Sequence, residues 1–246
     1  MVALDNCESM RRVTVPRMAA VLCLAIALIS VPGLLRAQET ALPALPAEQY
    51  DDDCLPLHIE GRHGPFDYRR ATAQEKTLVE AYHFVEHFRG YQQGKIKITK
   101  VQDGIIEYPA AGFSYTLWAF PNHPQALLAM EDLSRRFKTD RPPGSQLRVH
   151  CYFQRAVRFV PDDGLVRALY GYYYARRKLG TEAEAELAAA QELSPSDVNV
   201  QLYLAWSYIE LGKANNAAVH AKRAYELGYP LPGLREKLKK AGQSID

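Results

Sequence analysis

The sequence predicts an all-α fold, a short helical solenoid that follows an irregular N-terminal arm. Two observations support this prediction. Ala156, Ala190 and Ala224 recur every 34 residues, and a fixed period of this length is typical of stacked helix pairs. Small residues at Gly171 and Ala205 keep the same period, and small side chains allow two helix axes to approach closely.

Composition is consistent with a globular chain and narrows the classes of partner. The chain has 246 residues, of which 48% are hydrophobic, so it can bury a sizeable core. Its 30 basic and 28 acidic residues give a formal charge of only +2. An extended nucleic-acid surface normally shows a clear basic excess, so we expect no nucleic-acid partner.

Residues 1–37 have the layout of a secretory signal peptide. Three arginines precede an uncharged run over residues 18–35, and cleavage is expected near Ala37. Pro32 and Gly33 interrupt the end of the run, which favours cleavage, although its length leaves a retained anchor open. Either of the first two methionines could be the start. We therefore predict a periplasmic or secreted protein with no stable membrane insertion after cleavage.

Cys54 and Cys151 are the two cysteines that remain after such cleavage. Paired cysteines are the usual state in an exported chain, so we expect a disulfide. Closing a loop of this length stabilises a fold by roughly 4–5 kcal/mol in the entropic account. Two free thiols are the alternative, and a redox-active pair is less expected because the chain has no C-x-x-C motif.

The N-terminal half is less regular than the C-terminal half. Residues 38–70 are rich in Pro, Gly and Asp and predict an extended arm tied down by Cys54. A capping box at Thr72–Glu75 starts a helix over residues 72–90, whose apolar residues Leu78, Tyr82, Val85 and Phe88 follow at helical spacing. Asp103 and Gly104 lie between β-branched runs, so a small β-hairpin is possible.

Two further helices complete an irregular helical region over residues 71–162, which includes a partial first repeat. The first begins at Pro121-Asn-His-Pro124, with Asn122 as its cap, and is terminated by the RPPG sequence at 141–144. The second is expected over about 145–159 and carries Cys151. Asn122 and His123 could instead form a functional polar pair.

The C-terminal half resembles the tetratricopeptide repeat (TPR) family. QRAVRFVPDD, AAAQELSPSD and AKRAYELGYP resemble the ends of second helices, and LYGYYYARRKLG and YLAWSYIELG resemble first helices. The resemblance covers 163–230 as two repeats and implies a short right-handed TPR-type solenoid. Gly180 and Gly212 are placed at the C-terminal turns of the first helices. Their spacing of 32 residues predicts a first helix longer by about half a turn in the first full repeat.

Residues 231–246 predict a capping helix with one apolar side and one basic side. The basic side could instead bind anionic lipid or nucleic acid, although cations in a last helical turn are ordinary. VEAYHF, YTLWAFPNHPQAL and CYFQRAVRFVPDDG resemble exported bacterial repeat proteins of unassigned function, a resemblance that supplies no mechanism.

The TPR resemblance implies a concave groove lined by the first helices, which would bind a protein or peptide segment in the cell envelope. The paired lysines and asparagines that clamp a peptide carboxylate are missing, so we expect an extended or helical partner held by apolar contact. The aromatic residues could instead belong to the core. The predicted groove residues are Leu165, Ala168, Tyr172, Arg176, Asn199, Leu202, Trp206 and Glu210.

Two short patterns suggest catalysis, although a binding module without cofactor or catalytic residues is the leading prediction. His83-Phe-Val-Glu86-His87 matches the H-x-x-E-H pattern of zinc peptidases, so a small zinc-dependent hydrolase is the alternative. The large α/β scaffold of those enzymes is not predicted here. Gly112-Phe-Ser114-Tyr-Thr116 resembles a nucleophile elbow without its second glycine and is expected to be a local turn.

Overall fold

The structure is a computed structural model that describes residues 54, 57, 61, 63–100 and 104–245. The chain divides into units at 1–40 and 41–246, and all described residues belong to the second. The predicted signal peptide and most of the predicted arm lie outside the described residues. Within the described part of the chain, no helix is both long and apolar enough to cross a membrane.

The all-α prediction is confirmed, since helices make up most of the described residues and the strands form only one two-stranded sheet. The helices, with one π-helical turn at Glu80–Phe84, are α1 (Ala73–Val79), α2 (Val85–Gln92), α3 (Pro109–Ala119), α4 (Pro124–Phe137), α5 (Val149–Phe159), α6 (Gly164–Arg176), α7 (Gly180–Leu193), α8 (Val198–Glu210), α9 (Ala214–Glu226) and α10 (Gly233–Lys240).

The predicted helix over 72–90 is confirmed, but its buried face is not the one that its spacing suggests. The capping box at Thr72 is present. The π-helical turn between α1 and α2 adds a residue to one turn, which rotates the following side chains. Leu78, Tyr82 and Val85 are therefore 51%, 53% and 44% exposed, whereas Phe84 is buried.

The possible hairpin is present as β1 (Ile98–Thr99) and β2 (Ile106–Glu107), which pair antiparallel. Gly104 has a φ of +71°, a conformation that suits glycine, and its N–H donates to the carbonyl of Lys100. Ile98 packs directly on Gly90 of α2, because a Cβ at Gly90 would lie 2.1 Å from the Ile98 Cγ2. The glycine thus seats the hairpin on the helix.

Three helix junctions share one geometry. In each, the C-cap residue has a φ between −145° and −130° and its N–H donates to the carbonyl four residues earlier. A proline follows, and the next N-cap side chain accepts from a backbone N–H of the new helix. The C-caps are Phe120, Val160 and Ser194, the prolines are Pro121, Pro161 and Pro195, and the N-caps are His123, Asp163 and Asp197.

The prediction that Asn122 caps α4 is wrong, because His123 is the N-cap and accepts from the Ala126 N–H through Nδ1. The Asn122 side chain accepts instead from the Tyr68 N–H at 2.8 Å and donates to Asp163 at 3.0 Å. It therefore ties the described end of the arm to a helix junction.

The predicted ends of the next two helices also need correction. Helix α4 ends at Phe137, before the RPPG sequence at 141–144, because Lys138 takes a left-handed conformation with a φ of 51°. Helix α5 begins at Val149 instead of 145.

The four C-terminal helices before α10 repeat with a strict 34-residue register, so the predicted longer first helix is wrong. Helices α6 and α8 each have 13 residues, and α7 and α9 begin 34 residues apart. The left-handed residue after α6 is Lys178, with a φ of 62°, and its counterpart after α8 is Gly212. Gly180 begins α7 instead of ending α6.

Close packing between paired helices depends on small residues at equivalent positions. Helix α6 packs on both α7 and α8, and α8 packs on α9. A Cβ at Gly171 would lie 2.6 Å from the Leu187 Cδ2, so this crossing combines the smallest residue with a large one. In the next pair the equivalent positions are Ala205 and Ala221, and both are buried. Helix α10 buries Leu234 at the C-terminal end.

Candidate functional site

The first candidate site is a surface that we call the α4–α6–α8 face, defined by Glu131, Arg135, Tyr172, Arg176, Tyr203 and Glu210. Tyr172 is half-buried, and its ring centroid lies 5.6 Å from that of Tyr203. Burial and the Glu131 and Glu210 carboxylates raise the pKa of the Tyr172 phenol. Both carboxylates therefore lie near this ring, and the phenol remains a neutral hydrogen-bonding group at physiological pH.

A buried ionic network joins α4 to α6 beneath this face. The Glu131 side chain is 1% exposed and receives Arg176 at 2.7 Å and Arg177 at 3.4 Å. Burial raises the pKa of Glu131 to about 7, and the Arg177 guanidinium opposes that shift. Arg177 also donates to the Ser134 Oγ at 2.9 Å. The two guanidinium groups thus serve as the hydrogen-bond donors that water would supply to an exposed carboxylate.

A basic cleft of about 280 Å³ lies between the C-terminal ends of α4 and α6. Its lining contains four cationic side chains and one carboxylate, so it suits an anionic group. The lining residues are Ser134, Arg135, Lys138, Thr139, Asp140, Arg176 and Arg177.

The structure brings some of the predicted groove residues together and places others in the core. Tyr172, Arg176 and Glu210 lie on the α4–α6–α8 face, with the Arg176 guanidinium 5.2 Å from the Tyr172 ring centroid. Ala168 and Leu202 are buried, so their side chains pack within the core.

The remaining predicted groove residues have other environments. Trp206 is half-buried against the cluster formed by α8, α9 and α10. Leu165 is half-buried between two core clusters. Asn199 is exposed, and its N–H donates to the Asp197 Oδ1.

The contribution of α4 to the face escapes sequence reasoning. Pro121 and Pro161 mark equivalent junctions but lie 40 residues apart, whereas Pro161 and Pro195 lie 34 apart. Glu131 and Arg135 therefore have no place in a strict 34-residue frame. The signal that could have found them is the recurrence of a proline two positions before each N-cap, without a fixed spacing.

The H-x-x-E-H residues do not form a convergent ligand group among the described residues. His83 lies in the π-helical turn and stacks on Tyr115 at 3.7 Å between ring centroids. His87 is buried in α2, with Nε2 at 3.0 Å from a Glu107 carboxylate oxygen. Glu86 is half-buried. Burial lowers the pKa of His83 to about 4 and also lowers the pKa of His87.

The Gly112–Thr116 segment is not the local turn that we expected, because it lies within α3. Ser114 is buried, and its Oγ donates to the Ala110 carbonyl and lies 2.8 Å from the Tyr152 hydroxyl oxygen. Gly112 packs against His87, since a Cβ at Gly112 would lie 2.3 Å from the ring. Both residues thus serve helix packing.

The second candidate site surrounds the predicted disulfide, which is present between Cys54 and Cys151 with an S–S distance of 2.11 Å. The His150 Nε2 lies 3.6 Å from each sulfur. Its Nδ1 lies 3.1 Å from the Asp140 Oδ2, and the Tyr173 hydroxyl donates to the Asp140 Oδ1. Sequence reasoning missed His150 and Asp140, although the adjacency of His150 and Cys151 was a signal.

The chain was compared with family models, curated proteins and solved structures, and none of these comparisons gave a match.

Proposed function

We propose that this chain is a non-catalytic TPR-type scaffold that binds a segment of another protein on the α4–α6–α8 face, in the periplasm or outside the cell. The solenoid interpretation is supported by the 34-residue register of helix bounds in α6–α9 and by the three equivalent helix junctions. Repeat scaffolds of this kind use surfaces shared by successive units for binding.

The observation that carries the proposal is the juxtaposition of half-buried tyrosines with a basic cleft. Tyr172 and Tyr203 offer aromatic surface, and half-buried aromatic residues are frequent binding hot spots. The adjacent cleft carries Arg135 and Lys138, both exposed. The face thus suits a segment in which an apolar side chain is followed by a carboxylate, which adds a charge preference to the apolar contact expected from the sequence.

The test is selection of random twelve-residue peptides on the purified protein, followed by calorimetry of the selected peptides. Peptides enriched in an apolar residue near Asp, Glu or a C-terminal carboxylate are expected. In the double variant Arg135→Ala/Lys138→Ala the dissociation constant should rise at least tenfold, because two exposed cations leave the cleft while the buried Glu131 network stays intact.

The matched control is Lys222→Ala/Lys239→Ala, which removes two exposed cations from α9 and α10. This variant should bind the selected peptides with unchanged affinity. Equal affinity of the wild type and the Arg135→Ala/Lys138→Ala variant would contradict the proposed site. Loss of affinity in both double variants would indicate only a general charge effect.

A further inference from the structure

We propose that reduction of the Cys54–Cys151 disulfide creates a site for a thiophilic divalent cation of the zinc class, with Cys54, Cys151 and His150 as ligands. Among the described residues, these three form a group whose ligand atoms all lie within 4.8 Å of one another. Two thiolates and one imidazole are a donor set that zinc prefers. The proposal is independent of the partner-binding face.

The distances already match a tetrahedral ion. Zinc–sulfur bonds of about 2.3 Å and zinc–nitrogen bonds of about 2.0–2.1 Å place sulfur and nitrogen ligands about 3.6 Å apart. The His150 Nε2 lies 3.6 Å from the Cys54 sulfur and 3.6 Å from the Cys151 sulfur. After reduction, only the two sulfurs need to separate, to about 3.8 Å. The imidazole is therefore in position before a metal arrives.

The surroundings of His150 favour metal binding through Nε2. Its Nδ1 faces the Asp140 Oδ2 at 3.1 Å, and a carboxylate at that nitrogen fixes the tautomer and ring orientation of a ligating histidine. Asp140 is itself held by the Tyr173 hydroxyl at 3.1 Å. This order of contacts, from tyrosine to carboxylate to imidazole, positions the ligand.

The burial pattern leaves room for a fourth ligand from solvent. Cys54 and Cys151 are buried, whereas the His150 side chain is 18% exposed. Three protein ligands with one position open to water is a common zinc arrangement. The site would therefore be accessible from the His150 side.

Reduction and metal binding balance in two steps. A dithiol or phosphine reductant supplies two electrons and is oxidised, the S–S bond breaks, and two protons complete the thiols of Cys54 and Cys151. The cation then displaces both protons as two sulfur–metal bonds form, so binding weakens at low pH. The disulfide form holds no thiolate and is expected not to bind, which makes the site redox-gated.

The test uses the full chain without a histidine tag, oxidised or anaerobically reduced with a phosphine. Zn²⁺ is titrated against a chromophoric chelator, and Co²⁺ reports thiolate ligation through its near-ultraviolet charge-transfer band. We expect one equivalent of metal on the reduced protein and less than one tenth on the oxidised protein. Cys54→Ser/Cys151→Ser should abolish binding, and His150→Ala should weaken it at least tenfold.

Two further variants separate a built site from loose thiols. Asp140→Asn should weaken Zn²⁺ binding about tenfold to a hundredfold through His150, while the exposed His63→Ala should have no effect. Circular dichroism of each reduced protein records whether it stays folded. Unchanged affinity and cobalt spectrum in His150→Ala would overturn the proposal, as would stoichiometric binding without both cysteines or no binding to the reduced wild type.

Discussion

A buried ion pair in one repeat is replaced by a neutral hydrogen bond at the equivalent position of the next. Arg167 and Glu186 join α6 to α7 at 3.1 Å, and each side chain is 6% exposed. Thirty-four residues later, Gln201 and His220 join α8 to α9 at 2.9 Å. Arg167 and Gln201 also donate to the carbonyls of prolines at equivalent junctions. The fold thus accepts two chemistries at one place.

The perturbation is Arg167→Gln, which leaves Glu186 buried without its cation. Breaking a buried pair in this way costs about 3–5 kcal/mol, which corresponds to a fall in melting temperature of roughly 6–20 °C for a chain of this size. Burial already raises the pKa of Glu186, and loss of Arg167 should raise it further. A carboxyl with a raised folded pKa destabilises as pH rises, so the loss should be larger at pH 8 than at pH 5.

The double variant Arg167→Gln/Glu186→His recreates the Gln201–His220 pair. The new histidine would lie near Tyr174, which is equivalent to the Tyr208 ring that stacks on His220. Most of the lost stability should return, which corresponds to a coupling free energy of at least about 2 kcal/mol.

Urea unfolding followed by far-ultraviolet circular dichroism at pH 5 and pH 8 measures all four members of this cycle. A double variant no more stable than Arg167→Gln would refute the equivalence of the two positions. A loss independent of pH would refute the role assigned to the Glu186 charge.

Three other predictions concern packing, the disulfide and pH. Gly171→Ala should destabilise by about 1–3 kcal/mol because its Cβ would overlap Leu187, and Leu187→Ala in the same chain should relieve that overlap; additive losses in urea unfolding would count against this. Cys54→Ala should increase hydrogen exchange in the described arm residues while largely sparing α6–α9, so exchange rising equally everywhere would contradict it. Burial lowers the pKa of His123 to about 4, so the unfolded chain alone gains a proton between pH 6.5 and 4, and stability should fall by up to about 3 kcal/mol across that window. His123→Asn keeps a capping oxygen, and an unchanged pH slope in that variant would assign the effect to other groups.

Some features could be predicted because their causes lie within a few residues or within one period. The capping box at Thr72 and the N-caps Asp163 and Asp197 depend on hydrogen bonds to backbone groups two or three residues away. The 34-residue register follows from the spacing of small residues. Cys54 and Cys151 could be paired because no other cysteine follows the predicted signal peptide.

Other features were decided only by tertiary structure, because they depend on how each helix is rotated and which helix it meets. The π-helical turn moves Tyr82 to the surface, although its spacing suggested a packed face. Glu131 meets Arg176 across 45 positions, and the Cys54 sulfur meets His150 across 96. No period or local hydrogen bond encodes such distances; they arise when side chains from separate helices are buried together and must satisfy one another's charges and hydrogen bonds.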